Sequence, residues 1–128
     1  MRSAAFALVF LIAPVFASAQ DAKPISAEEA LKKVNEEVTV ELEIKSTGEN
    51  NNKTITYLNS EPNFRSDKNL TLLIEKKNEA KFVNAGVMNP KDYYKGKTVR
   101  VTGKVTLFMN RPQIKLENPE QIKVVEKK

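Results

Sequence analysis

The sequence contains no cysteine and no histidine. The first absence excludes disulfides, so stability must come from the core alone. The second removes the commonest general base. Together they remove both imidazole and thiolate metal ligands, and covalent haem carriage through a histidine with them. Long apolar runs are also missing. The longest, 4–16, is short of the roughly 20 residues a membrane-crossing helix needs. No cysteine follows that run, which argues against a lipid-anchored lipoprotein. Negative charge is scarce in the second half. Residues 62–128 hold fifteen basic and seven acidic side chains, against five basic and nine acidic in 20–61. The second half therefore has the charge to attract a polyanion, although a solvated lysine-rich surface gives the same count.

Arg2, the apolar run and the small residues Ala17-Ser18-Ala19 have the layout of a secretory signal peptide. The expectation is a signal over 1–19, cleaved after Ala19, and one exported domain over 20–128. That domain would be periplasmic or extracellular, with no stable membrane span.

What is present is alternation. Val99, Val101, Val105, Leu107 and Met109 share one parity, and Thr98, Arg100, Thr102, Lys104 and Thr106 the other. Successive strand side chains point to opposite faces, so one face is expected buried and the other wet. Gly103 falls on the buried parity and reads as a bend at a barrel corner. Asn110-Arg111-Pro112 breaks the pattern, and 113–117 resumes it with Ile114 and Leu116 inward. Ile122 and Val124 close the edge.

Upstream, Ser26-Ala27-Glu28-Glu29 is a capping box opening a short helix that ends near Asn35. Val38, Val40, Leu42 and Ile44 mark the first strand. Ser46–Lys53 reads as a loop of turn formers. Residues 54–59 form the second strand, whose inward parity is ambiguous because Ile55 and Tyr57 compete with Leu58. A polar loop over 60–68 precedes a third strand over 69–76. Residues 79–95 are less regular. Asn89-Pro90 would cap a helical turn there, and Gly96 would stop it.

Five strands with a helix between the third and fourth is the order of the oligonucleotide/oligosaccharide-binding (OB) fold, a small Greek-key barrel. The expected class is all-β: a five-stranded OB-like barrel with an N-terminal helix and a helix between strands three and four. Four segments, SAEEALKKV, TYLNSEPNF, PKDYYKGKTVRVTGKV and RPQIKLENPEQIKV, resemble small exported bacterial proteins carrying an OB-type domain. The resemblance spans about Ser26 to Val125. It implies a binding face across the second and third strands, flanked by the loops at Ser46–Lys53 and Phe108–Pro112.

Single-stranded nucleic acid needs aromatics for base stacking and cations for phosphate. The candidates are Tyr57, Phe64 and Phe108 for stacking, and Arg65, Lys68, Lys104, Arg111 and Lys115 for phosphate. Tyr57 fits core or rim packing better. Phe108 stands out because it has the wet parity of its strand. The Glu49–Asn52 stretch counts against the idea, since it offers amides and a carboxylate rather than cations. An OB-barrel nuclease would need clustered carboxylates, and Glu61, Arg65 and Asp67 have no recognisable ligand spacing. The expectation is a binding protein with no catalytic residues, metal or cofactor. Its ligand would be single-stranded DNA, RNA or another polyanion, with a cell-envelope protein or glycan as the alternative and a metal-dependent nuclease a remote third. Asn52 and Asn69 begin N-x-T sequons, which matter only in a glycosylating host.

Overall fold

The computed structural model describes residues 23–126; the expected signal peptide lies outside them. Ser26 accepts from the Glu29 amide while the Glu29 carboxylate accepts from the Ser26 amide, completing the capping box. These hydrogen bonds hold the Glu29 carboxyl below its ordinary range. Helix α1 nonetheless spans only Ala27–Ala30. The expected extension to Asn35 is a series of turns, ending where Asn35 takes a left-handed φ of 71°. The Asn35 amide then donates to the Val105 carbonyl, and this swings the chain into its first strand. Ala27, Ala30, Leu31 and Val34 form one apolar stripe along this segment: Ala30 is fully buried, and the other three lie against the core.

Among the described residues seven strands follow: β1 (Glu37–Glu43), β2 (Ser46–Glu49), β3 (Ile55–Asn59), β4 (Thr71–Glu75), β5 (Thr98–Phe108), β6 (Arg111–Lys115) and β7 (Ile122–Val124). Helix α2 (Lys76–Asn84) and helix α3 (Pro90–Tyr93) separate β4 from β5. The strand order is β1-β5-β6-β4-β3-β2, with β7 on β5. β4 and β6 are parallel, and the other pairs antiparallel.

The two ends of that order are halves of one bent strand. The Ile44 amide donates to Lys97 O ahead of β5, whereas the next amide, Lys45, donates to Asn59 O on β3. The chain thus passes from one side of the sheet to the other between adjacent residues. Counting β1 and β2 as one strand gives the five expected, plus the edge strand β7. The reading of Ser46–Lys53 as all loop is corrected, because its first half is β2. Residues 46–49 show no alternation, since none of them is buried. The sequence pattern of a strand was absent because the burial that writes it is absent.

The core is built from the expected parities: Val38, Val40, Leu42 and Ile44, then Leu70, Leu72 and Ile74, then Val99, Val101, Val105, Ile114 and Leu116. In β3 the inward positions are Thr56 and Leu58, which turns Tyr57 outward. Leu107 and Met109 depart from expectation and are exposed. β1 reaches β5 only as far as Lys104, and β4 reaches β6 only from Gln113. Val105 is still held by Asn35 and Glu36, but from Leu107 to Pro112 the two strands pair only with each other and run past the ends of β1 and β4.

α2 was not anticipated. Its sequence, KKNEAKFVN, buries only Asn78 and Phe82, yet Phe82 is among the largest fully buried side chains of the barrel. α3 has Pro90 in its first turn as expected, but the Asn89 side chain makes no capping hydrogen bond. Gly96 carries a φ of 82°, the left-handed stop expected of it.

Tyr94 follows α3 into the core, with the Tyr93 ring edge-on at 4.9 Å. Burial, with a smaller push from Tyr93, raises its phenol from 10.0 to about 12. The fold favours the neutral phenol, so this contribution is intact below pH 10 and is lost as pH rises through about 12. An ultraviolet phenolate titration should show a late step that Tyr94→Phe removes; superimposable curves would refute the assignment.

Candidate nucleic-acid interface

Strand register places five of the eight candidate residues on one face. Gly48 pairs with Tyr57, Tyr57 with Leu73, and Leu73 with Lys115. One row along, Ser46 pairs with Asn59, Asn59 with Thr71, Thr71 with Gln113, and Gln113 with Thr106. Phe108 pairs with Arg111 on the next row. Side chains two apart along a strand share a face. Tyr57, Lys104, Phe108, Arg111 and Lys115 therefore all lie on the outer face of the β2-β3-β4-β6-β5 sheet.

The 60–68 loop folds over one end of this face and brings Phe64. Its backbone is stitched down by buried polar side chains. Asn69 Nδ2 donates to Phe64 O at 3.2 Å, and Asn69 Oδ1 accepts from the Glu61 amide at 3.1 Å. Ser46 Oγ donates to Glu61 O at 2.7 Å. From the opposite side the Arg111 guanidinium donates to Phe64 O at 3.3 Å and Arg65 O at 3.2 Å. Arg111 is therefore more than a turn residue, since it ties the β5–β6 hairpin to the loop. None of the ion pairs among the described residues involves it.

Between loop, hairpin and sheet lies a cleft of ≈ 540 Å³, lined by Tyr57, Phe64, Phe108 and Arg111 among others. Phe64 and Phe108 are 56% and 61% exposed, so both rings are available to a ligand. Tyr57 is half-buried on the cleft wall rather than in the core. The Arg65 guanidinium carbon sits 5.3 Å from the Phe64 ring centroid, a cation–π distance that positions it at the cleft edge.

The remaining cations do not converge. Lys104 and Lys115 line a neighbouring groove of ≈ 490 Å³ that shares Phe108 and Gln113, and Glu37 and Glu117 line it too. Lys68 is not brought to the face: its ammonium lies 3.8 Å from the Glu28 carboxylate of α1, in a depression also lined by Glu41, Glu43 and Glu61. Within the cleft itself the only carboxylate is Glu49. Asn50, expected to offer loose amides, is engaged by its own loop, accepting from the Thr54 and Ile55 amides and donating to Thr54 Oγ1. Asn69 is buried and hydrogen-bonded, so its sequon is closed in the folded chain. Among the described residues no group of three or more carboxylates could hold a metal ion, and no helix is long and apolar enough to cross a membrane.

Sequence reasoning missed Met109, Pro62 and the Asn59–Asn69–Thr71 network. Met109 carried the buried parity of its strand and was expected inward, and Pro62 carried no strand or charge signal. Asn69 was visible only as a sequon, which pointed outward rather than inward.

No protein-family model matches the chain, and no curated protein matches it. Solved structures do match. An aspartyl-tRNA synthetase from Entamoeba histolytica superposes on 80% of this chain and 21% of its own, at 13% identity and a TM-score of 0.55. A chain described as an aspartyl-tRNA synthetase from Leishmania major Friedlin matches over 83% and 21%, at 10% identity and 0.52. The chain thus spans about a fifth of either synthetase. OBody AM1L10, solved bound to hen egg-white lysozyme, matches over 82% of this chain and 95% of its own, at 14% identity and 0.56. At these identities the likeness is one of fold, and the fold is OB-like.

Proposed function

We propose that this protein binds single-stranded nucleic acid without sequence preference, on the outer face of its β2-β3-β4-β6-β5 sheet. The observation that carries the reading is the convergence of Tyr57, Phe64 and Phe108 with Arg111 in one cleft of an OB-like barrel. Each base stacked on such a ring contributes about 1–3 kcal/mol, and stacking tolerates any base. The phosphate ligands are Arg111 in the cleft wall, Arg65 at its edge, and Lys104 and Lys115 in the neighbouring groove. Two of the fold's neighbours are synthetases named for a tRNA, which supports a nucleic-acid ligand by analogy of fold only. Export remains part of this proposal, and such a chain would meet its polymer outside the cytoplasm.

The test is a salt titration of labelled single-stranded DNA and RNA. With three or four phosphates neutralised, log K should fall against log salt with a slope of about −2 to −3. A Phe108→Ala, Arg111→Ala double variant should lose at least about tenfold in affinity, one stacked base being removed. Absence of binding at low salt would sink the proposal. Divalent-dependent cleavage in the same assay would instead revive a nuclease.

A protein ligand is the second reading, favoured by one observation. Glu37 and Glu117 offset Lys104 and Lys115 in the neighbouring groove, which makes that surface nearly neutral. The lysozyme-bound neighbour shows the fold engaged with a protein.

A further inference from the structure

Three of the four glycines have a reason inside the fold. Gly86 and Gly96 carry φ values of 96° and 82°, where other residues are strained. A Cβ at Gly103 would lie 2.6 Å from Ile114 Cγ2. Gly48 has neither reason. Its φ is not left-handed, and apart from its chain neighbours no atom of the described residues lies within 4 Å of where its Cβ would stand. Nor does it mark a bulge or a bend. The irregularity of this strand falls earlier, where the chain crosses between Ile44 and Lys45, and pairing with β3 is regular from Ser46 to Glu49. Glycine inside a strand weakens it, and apart from bulges and bends it marks a close approach to the backbone. Nothing among the described residues makes that approach.

The place of Gly48 says what does. It stands on the outer face of the sheet, directly opposite Tyr57. Residues so paired hold their Cβ atoms about 4.5–5.5 Å apart, so any side chain at position 48 would stand against Tyr57. Glycine leaves that side of Tyr57 open to the cleft, which the two residues line together with Phe64 and Phe108. Tyr57 is half-buried, and its ring stays clear of Gly48. A ring stacked on another has its centroid about 4.5–7 Å away. That is the space a side chain at 48 would fill. Charge does not enter here. Glu49 pairs with Thr56, an inward position of β3, so its carboxylate leaves β2 from the other face. The bare strip offers contact area without charge, which suits an uncharged planar ring and not a phosphate.

We infer that Gly48 makes the space beside Tyr57 a slot for one unpaired nucleobase, stacked on the Tyr57 ring and lying over the bare β2 backbone. This rests on the nucleic-acid reading and deepens it. Gly48 is a positioning residue: it contributes no group of its own, only the room in which Tyr57 can be stacked upon. A base inside a duplex has both faces covered by its neighbours and cannot enter.

The test is an anisotropy titration of the full chain with labelled oligothymidylate and with an abasic strand of the same length, which keeps the phosphates and lacks the bases. The wild type should bind oligothymidylate more tightly. Gly48→Thr should lower that affinity by about tenfold or more, one stacked base being lost, and leave the abasic strand's affinity unchanged. Its melting temperature should equal or exceed the wild type's, because threonine suits a strand better than glycine. Gly48→Ala should melt likewise and lose less affinity, since it adds one methyl group. Unchanged oligothymidylate binding by Gly48→Thr would overturn the slot while leaving the nucleic-acid reading intact. An equal loss on both strands would overturn it too, because the substitution would then disturb the surface at large. So would a lower melting temperature in both variants, which would show that the fold itself needs the glycine. A wild type that binds neither strand removes the nucleic-acid reading, and the slot with it.

Discussion

Gly103→Ala should lower the melting temperature by about 5–20 °C, the largest effect expected of adding a single methyl group to this chain. A Cβ at Gly103 would lie 2.6 Å from Ile114 Cγ2 and 3.2 Å from Gln121 Nε2. Neither neighbour is free to yield. Ile114 is fully buried, and its γ2 methyl is fixed directly to its own Cβ. Gln121 is a four-way clasp: its Nε2 donates to Thr102 O and Lys115 O, and its Oε1 accepts from the Glu117 and Asn118 amides. That clasp holds the turn between β6 and β7 against β5. Overpacking of this kind costs about 1–3 kcal/mol. The opposing gain from a stiffer unfolded chain is only about 0.4–1 kcal/mol, so destabilisation wins. Thermal melting followed by circular dichroism decides it, and an unchanged transition would refute the contact.

The same glycine shows how far the sequence could be read. Its place on the buried parity of β5 pointed to a barrel corner, and it does sit where β5 passes from β1 to β6. The contact with Ile114 could not be seen, because it joins residues whose facing depends on the register of two strands. Burial wrote the legible parts. Val99, Val101 and Val105 alternate with charged and hydroxyl residues because water meets one side of β5 and the core the other. Where both sides are wet, as along β2, no pattern is written. α2 was hidden for a related reason: one turn-face carries Phe82 and Asn78, and the rest of KKNEAKFVN is solvated.

The candidate site was legible by residue type and only partly by place. Alternation was enough to set Phe108 outward, and register then gathered Tyr57, Arg111, Lys104 and Lys115 on the same face. Charge counting overstated the cations. Lys68 belongs to the basic half of the sequence but lies beside Glu28, which belongs to the acidic half. Leu107 and Met109 obeyed the parity of β5 and still failed as core residues, because parity gives direction and not depth. Their strand outruns β1, its neighbour on that side, and the barrel ends beneath them.

Asn69→Leu should both destabilise the barrel and weaken the cleft, because this one buried amide fixes the loop that carries Phe64. Asn69 offers its amide nitrogen to Asn59 Oδ1, Phe64 O and Thr71 Oγ1, and its oxygen accepts from the Glu61 amide and Ser60 Oγ. Leucine fills similar space and provides none of these. Each buried polar group left without a partner costs about 1–3 kcal/mol, partly relieved where the rim admits water. A loss of about 2–3 kcal/mol overall is expected, read from denaturant unfolding. The Asn59–Thr71 hydrogen bond, 3.0 Å from hydroxyl to amide oxygen, survives and keeps β3 and β4 in register. The damage is therefore directed at the 60–68 loop. Arg111 grips that loop from the other side, so the two residues should couple. In a double-mutant cycle, Asn69→Leu and Arg111→Ala should show an interaction energy of about 0.5–3 kcal/mol, because Phe64 O accepts from both. Strict additivity would mean that the loop is held by something other than these two side chains.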